Sequence, residues 1–180
     1  MQVVVVPVPT ITLSSPTSLS GFTACFGSTS TSQTTSVSGT QLTADMVLTA
    51  PTGYEISTDN VTYSNTLTLT QSGGTVAATT IYVRLSASAA VGTPSGNLTI
   101  ASTGATTENV ALSGTVNALP TVTITDPAAA CTPSTVDITA ASVTSGSTAG
   151  LTYTYWTDNA ATTALASPSA VNATGTYYVL

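Results

Sequence analysis

The sequence contains no histidine and no lysine, and Arg84 is its only basic residue. Because a serine or cysteine nucleophile needs a neighbouring base, we expect that the protein is not an enzyme. Two cysteines without histidine exclude the usual zinc sites. A chain without lysine forms neither Schiff bases nor Lys–Asn isopeptide cross-links. The sequence therefore predicts a protein that binds or supports rather than catalyses, with no cofactor and no metal.

Charged side chains are scarce, at 4% of the residues, whereas soluble domains average about 25%. The formal net charge of −6 gives no attraction for nucleic acid or anionic lipid, so neither is an expected partner. Solubility must come from Ser and Thr hydroxyl groups, which is typical of secreted and cell-surface proteins. Disorder is not expected, because 42% of the residues are hydrophobic and many alternate with polar ones.

Long apolar runs are also missing, and a membrane-spanning helix needs about 18 such residues, so we expect no membrane insertion. Residues 1–9 lack the basic start of a signal peptide, and residues 176–180 end within an alternating pattern, so we expect a piece of a longer protein. The valine run in residues 2–9, broken by Pro7 and Pro9, indicates a linker or a leading strand. A second hypothesis is a strand donated to a neighbouring subunit's sheet.

What the sequence does contain is the pattern of β-strands. Residues 79–85 alternate most regularly, which predicts that Ile81, Val83 and Leu85 face a core. Similar segments recur between turn signals from residue 10 to residue 117, which predicts an all-β sandwich. Within it we expect residues 19–27 to be irregular and residues 46–50 to be a fully buried run. No stretch has helical periodicity.

A short linker, residues 118–120, precedes a second unit at residues 121–180. Its first strand is expected at residues 121–125, with Val122 and Ile124 facing inward. Cys25 and Cys131 fall in different units, so no disulfide is expected within the chain. Each cysteine is expected to be a small buried hydrophobic residue. For Cys131 a partner beyond Leu180 is the alternative.

Several motifs in residues 10–117 resemble an immunoglobulin-like repeat of large secreted proteins of Bacteroidetes-type bacteria. They include Leu19-Ser20-Gly21-Phe22, Val37-Ser38-Gly39, Ala50-Pro51-Thr52-Gly53-Tyr54-Glu55-Ile56-Ser57, Thr80-Ile81-Tyr82-Val83-Arg84-Leu85 and Val110-Ala111-Leu112-Ser113-Gly114-Thr115-Val116. The segments that begin at Cys131, Leu151 and Gly175 resemble a second such module, truncated at its C-terminal end. Similar modules occur in adhesins of the type IX secretion system, including gliding-motility adhesins of the SprB type.

The resemblance implies two tandem immunoglobulin-like β-sandwich domains, the second incomplete. It also implies a structural or spacer role in a secreted adhesin or surface filament that serves attachment or motility. The expected partners are neighbouring repeats and a surface glycan or protein ligand. A carbohydrate-binding module of a secreted enzyme and a filament subunit held by strand exchange are the alternatives.

Three groups of residues are candidate binding sites. Arg84 could hold a ligand carboxylate, or it could form an ion pair with Glu55 or Asp59 on the sheet surface. Trp156 and Tyr178 could form a platform that stacks on sugars; if their strand is regular, Tyr153 and Tyr155 face opposite to Trp156, and one set is core. The third group consists of carboxylates that could bind calcium, although none has the spacing of a dedicated calcium loop: Asp59, Asp126 and Asp158.

Overall fold

The computed structural model of the protein describes residues 7–180, so most of the run proposed as a donated strand lies outside the described residues. The chain divides into two compact units, Met1–Leu119 and Pro120–Leu180. The described residues contain β-strands and no helix, which confirms the all-β class.

The described residues of unit 1 form nine strands, each four to ten residues long. They are β1 (Thr10–Ser14), β2 (Ser18–Cys25), β3 (Gln33–Thr40), β4 (Met46–Thr49), β5 (Tyr54–Ser57), β6 (Thr66–Leu69), β7 (Val76–Leu85), β8 (Ser95–Ala101) and β9 (Glu108–Asn117). One sheet has the order β1-β3-β7-β5 and the other has the order β2-β9-β8-β4-β6. All neighbouring strands are antiparallel except β2 and β9, which are parallel.

The two sheets share one hydrophobic core, as in a β-sandwich. Alternation in the sequence explains why: every second residue of a strand points to the same face. In β7 the expected inward residues Ile81, Val83 and Leu85 are all fully buried. Met46 and Leu48 of β4 are buried too, but Val47 between them is 43% exposed. The expectation of a fully buried run at residues 46–50 was therefore wrong, because β4 has one solvated face.

Residues 19–27, expected to be irregular, mostly belong to strand β2. The register against β9 shifts between Leu19 and Phe22. Gly21 within this bulge has a φ of 76°, a value that residues other than glycine rarely adopt. The bulge breaks the two-residue period and hides the strand in the sequence, but Leu19, Phe22 and Ala24 still reach the core.

Unit 2 contains two short strands, β10 (Tyr155–Trp156) and β11 (Tyr178–Val179), which pair antiparallel. Its buried apolar residues are Ile138 and Val143. Residues 121–125 form no strand, and Val122 and Ile124 are 46% and 44% exposed, so the expectation that they face inward was wrong. A second sandwich in this unit stays a prediction.

Candidate functional site

The parallel pair of β2 and β9 joins the first and last parts of unit 1. The chain runs along β3 in one direction from Thr10, which pairs with Thr40, through Ser14, which pairs with Ser36. It continues past Gln33, whose Nε2 donates to the Ser20 carbonyl oxygen at 2.8 Å. It then enters β2 beside β9.

At the end of β2, Cys25 lies opposite Asn117, the last residue of β9. The chain therefore enters unit 1 at one end and leaves it at the other. From residue 10 to residue 25 it covers up to about 50 Å at a strand's rise of about 3.3 Å per residue.

Two backbone hydrogen bonds near the end of β9 show which amides of β2 point toward β9 and which point away from it. The Phe26 amide donates to the Asn117 carbonyl oxygen at 2.8 Å, and the Val116 amide donates away from β2, to Gly92, also at 2.8 Å. Because alternate residues of a strand point their backbone groups to the same side, the Ala24 amide points to β9. The Thr23 amide points to the open edge of the sheet.

Arg84 of β7 and Glu55 of β5 lie directly opposite each other. The Arg84 Nε and the Glu55 Oε1 are 2.7 Å apart, so the expected ion pair with Glu55 is confirmed. The side chains are 27% and 19% exposed, so water screens the pair. The Arg84 Cζ also lies 3.6 Å from the centre of the Tyr63 ring, a cation–π contact.

Tyr63 belongs to a hydrogen-bonded loop between β5 and β6. Its hydroxyl group donates to Asn60 Oδ1 at 2.6 Å, and the Ser32 hydroxyl group donates to the same oxygen at 2.9 Å. Nothing in the local sequence pattern indicated Tyr63, because it lies outside any strand and meets Arg84 only through the fold. The loop and Glu55 together occupy one edge and one face of the guanidinium group.

Asp59, the other expected partner of Arg84, instead orders its own loop. One carboxylate oxygen accepts hydrogen bonds from the Ser57 hydroxyl group at 2.7 Å and from the amides of Val61 and Thr62, both at 2.8 Å. These bonds, the one from Ser57 first, lower the pKa of Asp59 to about 2.

Asp158 plays the same part in unit 2. It accepts bonds from the amides of Ala160, Thr162 and Thr163, and those from Thr162 and Thr163 contribute most to lowering its pKa. Residues 7–180 contain no group of three or more His, Cys, Asp or Glu side chains that could hold a metal ion. Two of the three carboxylates considered for calcium, Asp59 and Asp158, thus act locally as hydrogen-bond acceptors in turns.

Trp156 and Tyr178 lie opposite each other in the small sheet of unit 2. Both are half-buried, and Trp156 Nε1 donates to the Thr154 hydroxyl oxygen at 2.9 Å. Tyr153 and Tyr155 are half-buried as well, so the expectation that one aromatic set forms a core was wrong. The unit's core is aliphatic, and its aromatic side chains lie at the border between that core and solvent.

Both cysteines are free and exposed, contrary to the expectation that they would be buried. Cys25 is the last residue of β2. Its side chain points to solvent because the preceding residue, Ala24, points to the core. Cys131 belongs to no strand and begins a turn, in which the Ser134 amide donates to the Cys131 carbonyl oxygen at 2.9 Å.

Unit 2 also contains a cleft of about 530 Å³, which no sequence pattern indicated. The buried pair Ile138 and Val143 lies at its base, and residues 126–130 line one part of it. Residues 171–177 and Val179 line another part. Asp126 is its only charged lining residue.

A comparison with models of protein families found no match to the chain, and a search among curated proteins also found none. In the described part of the chain, no helix is long and apolar enough to cross a membrane.

Proposed function

We propose that this chain is a structural, load-bearing piece of a secreted bacterial adhesin or surface filament. Unit 1 acts as a spacer that holds neighbouring repeats apart and transmits tension between them. The observation that carries this proposal is the position of its chain ends. Because the chain enters beside Thr40 and leaves beside Cys25, at opposite ends of the unit, repeats joined in series add their lengths.

The arrangement of strands supports an immunoglobulin-like spacer. In such sandwiches the first strand begins in one sheet, next to the second, and that sheet has the order A-B-E-D. The order β1-β3-β7-β5 follows this scheme, and the chain then crosses to the other sheet as β2. One departure is that β5 joins the first sheet before β6 joins the second. We propose the same family of fold, truncated, for unit 2.

The parallel pair gives the spacer its mechanical role. Tension between the two ends of unit 1 pulls β2 toward Thr10 and β9 away from it. The hydrogen bonds between these strands are then loaded together along the strand direction, instead of opening one at a time. Six residue pairs from Ser18–Ala111 to Cys25–Asn117 share this load. A unit of this kind resists extension without any catalytic or ligand-binding residue.

Single-molecule force spectroscopy tests the proposal with two matched proline substitutions in β2. Ala24→Pro removes an amide that points to β9, and Thr23→Pro removes its neighbour's amide on the open edge. We expect Ala24→Pro to lower the unfolding force and Thr23→Pro to leave it near the wild-type value. Equal forces for both variants, once both are shown to be folded, would count against the load-bearing role of β2 and β9.

A second candidate function is carbohydrate binding, as an accessory module of a secreted enzyme or as the adhesive surface of the filament. The observation that favours it is the adjacent, half-exposed pair of Trp156 and Tyr178. Aromatic faces of this kind stack on sugar rings. A glycan array should then show binding that Trp156→Ala abolishes and Tyr82→Ala, on unit 1, preserves. Binding that survives Trp156→Ala, or no binding at all, argues against this function.

A further inference from the structure

Strand β6 is an edge of the larger sheet of unit 1, and the bonds beside it show which of its backbone groups are free. Among the described residues, β4 is its one hydrogen-bonded neighbour in the sheet. In the register of β4 and β6, the Ala50 amide donates to the Asn65 carbonyl oxygen at 2.8 Å. Since hydrogen-bonded and non-hydrogen-bonded pairs alternate in an antiparallel ladder, Leu67 bonds to β4, whereas the backbone groups of Thr66 and Thr68 point to the open side.

The open side of β6 has few hydrogen bonds. The Thr66 carbonyl oxygen accepts one from the Ser64 hydroxyl group. The Thr68 amide and carbonyl groups form none with a described residue. The side chains of Thr66 and Thr68 are exposed. The strand therefore offers donors and acceptors to another strand.

The other three sheet edges of unit 1 each have a feature that discourages pairing with another chain. On β5, Ile56 and Ser64 exchange two backbone hydrogen bonds of 2.8 and 3.0 Å. β2 contains the bulge at Gly21, and β1 lies between Pro9 and Pro16. By contrast, residues 64–72 around β6 contain no proline, no glycine and no charged side chain. β6 is thus the edge of unit 1 that is best suited to accept a strand.

The sequence of this edge reads the same in both directions, since residues 66–70 are Thr-Leu-Thr-Leu-Thr. A two-fold axis requires a self-complementary surface, because residue i of one copy contacts residue j of the other and the reverse. Two β6 strands paired antiparallel about Thr68 place Leu67 of each copy opposite Leu69 of the other. Both leucines are half-buried and pack against the core. The leucines of a second copy would therefore cover their exposed parts.

We propose that β6 is a contact surface between two copies of this chain, in which it pairs antiparallel with β6 of the second copy. The contact joins two five-stranded sheets into one continuous sheet. Thr68 then lies opposite Thr68, and threonine pairs across strands stabilise a sheet. Val47, opposite Thr68 on β4, is 43% exposed and adds an apolar side chain beside the seam.

Charge favours this edge as the meeting point of two copies. With a net charge of −6, copies of the chain repel each other in general. Residues 60–83 contain no charged side chain. Asp45, which accepts a hydrogen bond from the Gln71 amide at 3.0 Å, lies beside the far end of β6. In the paired strands the two Asp45 side chains are three strand spacings and four residues apart, about 20 Å, which exceeds the Debye length of about 8 Å in physiological salt.

The contact is small, because about five residues of each copy take part, whereas standard interfaces have about 20–30 residues a side. Free copies therefore associate weakly, and copies held side by side associate more, since tethering raises their local concentration. The inference is independent of the spacer role, because the force experiment pulls single copies. A chain that stays monomeric would overturn the β6 contact and leave the force experiment unaffected.

Disulfide trapping tests the contact, because a covalent link accumulates even from a weak encounter. In the full chain carrying Cys25→Ser and Cys131→Ser, Thr68→Cys provides one thiol per copy. In the paired strands the two Cα atoms at position 68 lie about 5.5 Å apart, within the range of a disulfide. The matched control is Val47→Cys, on the same face and at the same level of the sheet. There the two copies are three strand spacings apart, about 14 Å, which is too far for a disulfide.

We expect Thr68→Cys to form disulfide-linked dimers about tenfold faster than Val47→Cys. In the chain with its own cysteines, kept reduced, the Thr66 and Thr68 amides should exchange with deuterium more slowly as the protein concentration rises. The Thr23 amide, on the open edge of β2, should not change. Thr68→Lys places like charges opposite each other and should remove the concentration dependence at Thr66.

Equal cross-linking rates for Thr68→Cys and Val47→Cys overturn the proposal. Exchange at Thr68 that does not depend on protein concentration overturns it as well. If that exchange is slow at every concentration, the open side of β6 is covered by another part of the same chain.

Discussion

Replacing Gly114 by alanine should destabilise unit 1, because the position of the missing side chain is already occupied. Gly114 lies on β9, on the side of the strand that carries the buried residues Leu112 and Val116. A Cβ atom there would come within 2.9 Å of both the Cβ and the carbonyl oxygen of Phe22, and within 3.0 Å of the Tyr54 hydroxyl oxygen. Ordinary contacts between carbon atoms are about 3.5–4.0 Å.

The surrounding groups have little room to move. The rings of Phe22 and Tyr54 pack edge to face with centres 5.5 Å apart, and the Tyr54 hydroxyl group donates to the Pro94 carbonyl oxygen at 3.0 Å. Overpacking a core costs about 1–3 kcal/mol, and a displaced hydrogen bond costs about 1 kcal/mol more. Replacing glycine also stiffens the unfolded chain, which offsets about 0.4–1 kcal/mol. We expect a net loss of about 2 kcal/mol in the free energy of unfolding.

Urea denaturation of the wild type, Gly114→Ala and Thr115→Ala measures this loss. Thr115 is the exposed neighbour on the same strand, and its variant should stay within about 0.5 kcal/mol of the wild type. In a Tyr54→Phe background the penalty of Gly114→Ala should be smaller, because the contact with the hydroxyl oxygen is gone. A Gly114→Ala variant as stable as Thr115→Ala would refute the packing argument.

Three further predictions concern the surface of unit 1. Glu55→Gln should lower the free energy of unfolding by less than about 1 kcal/mol in low salt and by less still in high salt, because the ion pair is partly exposed. Urea denaturation at two ionic strengths checks this, and a large, salt-independent loss would contradict it. Tyr63→Ala should release the ring from the Arg84 guanidinium group and broaden or shift the Arg84 Nε–H signal in NMR spectra, whereas Tyr82→Ala should have a smaller effect. Asp59 should titrate with a pKa of about 2 when followed by NMR, and Ser57→Ala should raise this pKa because it removes the hydroxyl group that donates to the carboxylate. Since the pKa of Asp59 is lowered in the folded state, the stabilisation that it provides is complete above its unfolded pKa and is lost as the pH falls toward 2.

The sequence was a good guide where a strand keeps its two-residue period. Ile81, Val83 and Leu85 are fully buried because alternation alone determines which face of β7 meets the core. Strand β2 escaped prediction because the bulge at Gly21 interrupts its period. Its parallel pairing with β9 joins residues far apart in the chain, and no local pattern contains such information.

Unit 2 shows how an alternating pattern can mislead. Residues 121–125 read as a strand, but their backbone bonds go partly to side chains instead of to a neighbouring strand. The Thr121 amide donates to the Thr148 hydroxyl oxygen and the Thr123 amide to the Ser147 hydroxyl oxygen, both at 2.9 Å. Hydroxyl groups of Ser and Thr compete with strand pairing in this way, and the chain is rich in both.

The candidate sites were predictable to different degrees. The sequence predicted an ion pair of Arg84 with Glu55 or Asp59, and the fold selects Glu55, which lies directly opposite Arg84 on the neighbouring strand. The contact with Tyr63 could not, because it depends on how the loop between β5 and β6 folds back over the sheet. The cleft of unit 2 depends on the same kind of long-range arrangement.

The direction dependence of the unfolding force tests the spacer proposal most directly. In one measurement the pulling handles are attached at Pro9 and Asn117, so that β2 and β9 slide past each other under load. In the other they are attached at Cys25 and Asn117, which lie side by side, so that the same strands are peeled apart from one end. We predict a clearly higher force for the first attachment. Equal forces, or a lower force for the first, would contradict the load-bearing role of unit 1.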